Sequence, residues 1–504
     1  MQAVAIRMAA GGDAARDALA GLAAIAAAGL LIALSAPGVG DVAWLAWIAF
    51  APWLALLQRL RAPAAALSGL LMGYAYIIPG HWSTFAAAVG NTGAEGLARE
   101  LWTLAFFTPY TIPFLIYGAL DGALRRYAGP GALTRSALLR AAVLAGLICL
   151  IWSPFPYTPV TAIVDFHGIV QWAALGGEPL LLTLLLWPSA LLAACLSERP
   201  SVAAQGRAFA VLALSLMLAH LTGTARIAAN DRAEAAGAGL RVSALALQLD
   251  LPSDSSPALL TRNRAHGRQS AVELTRQGYA AAPQCELAVW PETPVEARHG
   301  ERLCTAGQAL ADATGRPLLM QCHRVAGEQF RITAEWLRPQ AAPLAHAKSS
   351  LVAGYERPIF GTGHLQAGPP GAVLDLDGQR RLIPALCYEL YAGSHLRRSV
   401  LAGGQFVAHQ VSFGGFDRQP IDRWDQPMAR LRAVAYGVPI LRSSNRAPIG
   451  WIDANGRVRA ESERFGRRVE CHSVWSPAAP PTLFARIEPV AAWLPALLLL
   501  GLIG

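Results

Sequence analysis

Eight apolar stretches decide what this chain can become, because each approaches the ~20 residues that an α-helix needs to cross a bilayer. They fall at about 18–36, 43–60, 64–83, 101–120, 136–155, 178–197 and 206–223, and the last, about 485–504, closes the chain. With 54% hydrophobic and only 15% charged residues, the chain is too apolar for a soluble protein of 504 residues. Between the seventh and eighth stretches lie about 260 residues of ordinary charge density with alternating strand and helix patterns, long enough for one sizeable α/β domain. The expected division is therefore a transmembrane bundle over 1–223, an α/β domain over 224–484 and a C-terminal transmembrane helix over 485–504.

Orientation follows from the arginines, since cytoplasmic loops collect positive charge. Arg7 and Arg16 precede the first span; Arg59 and Arg61, then Arg125, Arg126, Arg135 and Arg140, then Arg199 and Arg207 follow the second, fourth and sixth. The opposite loops hold essentially Arg99 alone. Both termini are expected inside and the α/β domain outside, which in a bacterium with two membranes is the periplasmic face of the inner membrane. The first span, ending in Ala33-Leu34-Ser35-Ala36, is expected as a retained anchor, because its start is weakly basic and six spans follow it. Topology also explains much of the formal charge of +9, so no nucleic-acid partner is expected.

Of 42 basic side chains, 41 are arginine; the only lysine is Lys348. An ammonium is compact and can pack against a reacting atom, which the wide guanidinium fork does poorly. Two further segments carry the residues that covalent acyl transfer requires: Trp290-Pro291-Glu292, and Leu386-Cys387-Tyr388-Glu389. Each follows an apolar run that reads as a short buried strand, with the reactive residue at its C-terminal end, where active groups of layered α/β folds collect. Cys387 is the candidate nucleophile and Glu292 the base, its pKa raised by burial. Lys348 and a backbone N–H after the nucleophile, that of Tyr388, would hold the oxyanion.

Glu292, Lys348 and Cys387, in that order and in those contexts, resemble the Glu-Lys-Cys set of the nitrilase (carbon–nitrogen hydrolase) superfamily, and within it the membrane-embedded apolipoprotein N-acyltransferase branch. Trp290-Pro291-Glu292-Thr293 and Cys387-Tyr388-Glu389 resemble that branch's motifs residue for residue. Glu356 falls where the family has a second pocket carboxylate, and Arg430 to Asn445 resembles its helix-then-strand after the nucleophile. The resemblance implies a nitrilase-like αββα sandwich on a bundle of about eight spans, working as a monomer without metal or cofactor. It implies that Cys387 takes an acyl chain from a phospholipid as a thioester and passes it to the α-amine of a lipoprotein's N-terminal cysteine. Glu389 is expected to hold Lys348 or the oxyanion region.

Departures cluster around substrate recognition. Leu351-Val352-Ala353-Gly354-Tyr355-Glu356 stands where the family has Leu-Val-Pro-Phe-Gly-Glu, the stretch from Glu356 to Cys387 is shorter, and His409-Gln410-Val411-Ser412-Phe413-Gly414 replaces Asn-Asp-Ala-Trp-Phe-Gly. The alternative is a divergent membrane nitrilase similar to conjugal-transfer TraB proteins, acting on a different acceptor. Cys285, Cys304, Cys322 and Cys471 leave the pairing open, with buried thiols the plain expectation. His346, His364, His395, His409 and His472 are scattered without ligand spacing, so no metal site is expected.

Overall fold

The structure, a computed structural model, describes residues 2–90, 94–128, 133–251, 257–292, 305–326, 329–352, 356, 365–391, 394–414, 421–494, 496–497 and 501. Among the described residues, six helices are long and apolar enough to cross a membrane. They are, or lie within, α1 (Gln2–Ser35), α3 (Ala62–Gly90), α4 (Gly96–Ala128), α5 (Leu133–Leu150), α7 (Ala173–Glu198) and α8 (Val202–Ala235). The stretch expected to be the second span is instead a 3-10 turn, Ala43–Trp47, and the seven-residue α2 (Ala51–Leu57), with Pro52 in its first turn. Proline suits a first helical turn and cannot continue a preceding helix, so this segment breaks where a long helix was expected. It still carries the chain back across the bundle: Gly38 abuts Arg423 of the α/β domain, whereas Leu56 packs on Gly21, well inside α1. Of the last expected span, α13 (Leu483–Ala491) is described, and much of the chain beyond Leu494 lies outside the described residues.

Small residues let the helices approach closely. A Cβ on Gly69 of α3 would sit 2.1 Å from Phe114 O of α4. Arg140, expected among the loop arginines, is buried inside α5 and donates from Nε to Asp121 Oδ1 of α4 at 2.7 Å. Asp121 also accepts from Arg125 Nε at 3.0 Å and Tyr117 at 3.2 Å, so a buried cation finds its carboxylate one helix away.

Among the described residues, the remaining chain curls one sheet of 12 strands onto itself. β1 (Leu240–Leu249), β2 (Leu287–Val289), β3 (Leu318–Ala326), β4 (Gln329–Leu337) and β5 (Leu344–Ala347) form one half, in the order β5-β4-β3-β2-β1. The path continues as β9-β8-β7-β6, where β6 is Leu374–Asp375, β7 Arg381–Leu386, β8 Phe406–Ser412 and β9 Ile440–Asn445. β10 (Gly450–Ile452), β11 (Val458–Glu461) and β12 (Arg468–Ser476) extend the edges.

β1 shows why the layers form. Its side chains alternate, with Ala244 and Ala246 meeting Leu382, Ala408 and Leu441 of the other half, while Leu245 and Leu247 meet α9 (Pro257–Ala281) and α10 (Thr305–Thr314). On the far side, α11 (Ser394–Leu401) and α12 (Ile421–Tyr436) cover Ile383, Val407 and Ile440. The result is the expected four-layered αββα sandwich. One apolar cluster runs unbroken from Phe114 and Leu185 of the bundle through Trp424 and Leu431 of α12 into the sheet, so the sandwich rests on the bundle through α12.

The ends of α3, α7 and α8 that meet the sandwich carry His81 against Trp424, Glu178 against Arg432 and Asp231 against Arg457. Asp165, in the loop after α5, pairs with Arg430 at 2.8 Å. Where buried thiols were expected, Cys285 and Cys471 form a disulfide, because β1 pairs with β12 and β2 on its two edges and brings them to 6.1 Å between Cα atoms. Cys304 lies outside the described residues.

Replacing Arg140 by leucine takes from buried Asp121 its nearest partner, leaving Arg125 and Tyr117, and is expected to lower stability by about 1–3 kcal/mol. The double replacement of Asp121 and Arg140 by leucine is expected to cost less. Thermal unfolding of the three proteins in one detergent checks the order.

Candidate active site

Three strand ends bring the site together. β2 ends at Val289, with Glu292 three residues on; β5 ends at Ala347, immediately before Lys348; β7 ends at Leu386, immediately before Cys387. The end of β2 is fixed from β8 and β9. Ser443 Oγ donates to Val289 O and Gln410 Nε2 to Trp290 O, each at 2.8 Å. The Lys348 backbone is clamped on both sides, its N–H donating to Ile332 O at 2.7 Å and its carbonyl accepting from Gly368 at 2.8 Å.

Lys348 Nζ lies 3.2 Å from Glu292 Oε1 and 2.5 Å from Glu356 Oε1, and only 1% of the lysine side chain is exposed. Glu356 is held in turn, its Oε2 accepting from Val352 N–H at 2.8 Å. Cys387 and Glu292 each act on the other's ionisation, so the thiol and this carboxylate belong to one electrostatic cluster with Lys348 and Glu356. Residues 387–390 form a single 3-10 turn, and Cys387 enters it at φ +47°, a left-handed conformation unusual for a side chain with a Cβ. That kink aims the residue off the end of β7 instead of along it.

The charges shift one another in directions that suit acyl transfer. Burial raises the Glu292 pKa, Lys348 lowers it and Glu356 raises it again, leaving it above the usual carboxylate range. Burial opposes the Lys348 charge, yet Glu292, Glu356 and Cys387 outweigh it and hold the ammonium protonated. Burial and Glu292 push the Cys387 thiol up, against Lys348. Both shifts favour the uncharged forms, so Cys387 rests as a thiol.

Glu389 does not reach Lys348 itself. It accepts from Ser349 N–H at 2.6 Å, Ser349 Oγ at 2.7 Å and Leu386 N–H at 2.9 Å, and so ties the residue after the lysine to the residue before the cysteine. His346 Nε2 sits 2.9 Å from the same carboxylate. Burial alone would raise the Glu389 pKa, but the hydrogen bonds and charges of His346, His395 and Ser349 bring it down to about 2. Tyr388 sends its hydroxyl to Pro154 O of the bundle at 2.9 Å and packs its ring on Phe155. Thr293 and residues 353–355 of the expected motifs lie outside the described residues, as does His364.

Two features escaped the sequence. His346, Glu389 and His395, expected to be unrelated, have ligating atoms that cluster as a metal site's would. These atoms are already engaged, since His395 Nε2 donates to Pro384 O at 2.8 Å and its Nδ1 accepts from Gly371 N–H at 3.2 Å. The second is His409, whose Nε2 donates to Cys387 O at 3.1 Å and so secures the kinked nucleophile from β8. Its place where the family carries asparagine was the available signal.

No family model matches the chain. It is 25% identical over 488 residues to apolipoprotein N-acyltransferase of Bradyrhizobium diazoefficiens, spanning 85% of this chain and 83% of that protein. The Pasteurella multocida apolipoprotein N-acyltransferase is 32% identical over 96 residues, 19% of this chain and only 18% of that protein. Among solved structures, Saccharomyces cerevisiae Nit3, a member of branch 10 of the nitrilase superfamily, aligns with a TM-score of 0.39 at 14% identity, covering 50% of this chain and 94% of that one.

The charge pattern yields a test with opposed signs. Glu292→Gln removes a charge that raises the thiol pKa while leaving Lys348, so the Cys387 thiolate, followed by its ultraviolet absorbance, is expected to form at lower pH than in the wild type. A titration midpoint that stays or rises would mean that the two groups do not share a site. Over most of its length the chain is similar in sequence to apolipoprotein N-acyltransferases, and six of its described helices are long and apolar enough to cross a membrane.

Proposed function

We propose that Cys387 accepts an acyl chain from a phospholipid and delivers it to the free α-amine of a lipoprotein's N-terminal cysteine. The observation that carries this reading is the single lysine of the chain, buried between Glu292 and Glu356, with Cys387 in the same electrostatic cluster. A buried ammonium in that position supports an oxyanion role, and the names of the relatives supply the acceptor.

In the first step Glu292 takes the thiol proton as sulfur attacks the ester carbon. Lys348 and the Tyr388 N–H hold the oxyanion; the C–O bond breaks, Glu292 returns the proton to the departing alkoxide, and a lysophospholipid leaves a thioester. In the second step the amine attacks the thioester, loses a proton to Glu292 and expels sulfur, which recovers that proton. Glu356 and Glu389 position Lys348 and the nucleophile strand, and no step calls on a metal or cofactor.

In this reading residues 1–223 form the bundle, 224–484 a periplasmic domain and 485–504 a C-terminal transmembrane helix of a monomer in the bacterial inner membrane. Two observations support the orientation. The Arg59, Arg125, Arg126 and Arg199 ends of the helices are opposite to the ends that meet the sandwich, and cytoplasmic faces collect arginine. The Cys285–Cys471 disulfide suits an oxidising compartment.

Intact-mass analysis of purified protein mixed with phospholipid is expected to show one acyl chain on Cys387, discharged by a diacylated lipopeptide whose α-amine is free. In Glu292→Gln the first step should slow by on the order of 10²–10⁴. A thioester that forms but ignores the lipopeptide would move the chain to another acceptor, as in the TraB-like alternative. Absence of any thioester would end the reading.

A further inference from the structure

Tyr388 has a second side. Beside the candidate site, a cleft of about 810 Å³ opens between α5, α7 and α13 of the membrane part and α11 and α12 of the sandwich; Tyr388 and Ser349 to Leu351 line it, and Lys348 and Cys387 do not. That volume is in the range of built ligand pockets. One wall is apolar, formed by Ile148, Ile151, Phe484, Pro489 and Ala492. The other is charged: Arg397, Arg398 and Arg432 face Glu178 and Glu488. Three guanidiniums against two carboxylates leave one positive charge uncompensated.

The polar wall is incompletely satisfied. Arg432 is 7% exposed and reaches Glu178 at 3.4 Å and Tyr391 O at 3.2 Å, but its buried Nε has no hydrogen-bond partner. The buried Glu488 Oε2 likewise has none, since Arg397 Nε, 3.9 Å away, donates to Ala485 O at 2.9 Å. Arg398 is exposed and its side chain makes no hydrogen bond or ion pair among the described residues. At the same level Trp152, Val490 and Trp493, at the ends of α5 and α13, are 54%, 53% and 51% exposed, as apolar and indole side chains are where a bilayer meets water.

We propose that this cleft binds one intact glycerophospholipid, its phosphodiester held by Arg397 and Arg398 and its acyl chains laid along α5 and α13. The lipid seals the seam between bundle and sandwich and is not consumed. An apolar wall continuous with the membrane, beside a wall carrying one surplus positive charge, matches a molecule with two acyl chains and one phosphate. The site asks nothing of Cys387, so it stands or falls separately from acyl transfer.

The test uses the full-length Cys387→Ala protein, in which no thioester forms. Native mass spectrometry from mild detergent is expected to show one retained glycerophospholipid, with retention about tenfold lower in Arg398→Glu, whose exposed side chain makes no hydrogen bond or ion pair among the described residues. Phosphatidylglycerol bearing a photoactivatable acyl chain, added to the protein with Arg398 intact, should crosslink to residues 148–152 or 484–492. Millimolar inorganic phosphate should not displace it. Unchanged retention in Arg398→Glu, crosslinks confined to α1, α3 and α4, or displacement by inorganic phosphate would each overturn the proposal.

Discussion

A lysine ammonium with 1% of its side chain exposed cannot stay charged in a protein interior without partners, and the arrangement of the catalytic half follows from that requirement. Two carboxylates flank Lys348, one reached from the end of β2 and one from the stretch after Val352. Each is secured by its own strand or turn: Ser443 and Gln410 fix the approach to Glu292, and the Val352 amide fixes Glu356. The thiol shares this cluster with a carboxylate whose pKa burial raises and the neighbouring ammonium lowers. Removing the lysine would leave two buried like charges, and removing either carboxylate would leave the ammonium under-neutralised, so the three groups act as a unit.

The membrane part is coupled to this unit through polar links in an otherwise apolar seam. Tyr388, the residue after the nucleophile, bonds Pro154 of the loop following α5. Arg430 and Arg432 of α12 reach Asp165 and Glu178, while Arg457 pairs with Asp231 at the end of α8. Apolar packing along α12 brings the sandwich onto the bundle, and directional bonds to backbone carbonyls and carboxylates fix how it sits. In the proposed reaction the ester arrives from the bilayer at one depth, and these links would hold the site at that depth.

Much of this was legible in the chain. Glu292 and Cys387 end apolar runs, and strands β2 and β7 stop where those runs stop. Hydropathy located the bundle and, through residue spacing, the α/β segment. What stayed hidden depends on partners distant in sequence. The broken second crossing is an apolar stretch by composition, and only its packing between α1 and the sandwich shows that a 3-10 turn and a short helix suffice. Arg140 reads as loop charge until Asp121 is seen across the helix interface. His346 lies 43 residues from Glu389, and only the fold brings β5 beside the turn after β7 and the start of α11, where Glu389 and His395 sit. The Cys285–Cys471 pairing likewise comes from strand order, with 186 residues between the two.

The central claim is that a compact ammonium, and not positive charge in general, serves the oxyanion beside Cys387. The most direct measurement is the single-turnover rate of Cys387 acylation by phospholipid in Lys348→Arg. Charge is kept, but the planar fork cannot occupy the space between Glu292 and Glu356 in the same way. The rate is expected to fall by on the order of 10²–10³. Acylation at close to the wild-type rate would contradict the role assigned to the lysine and, with it, the account of how the site works.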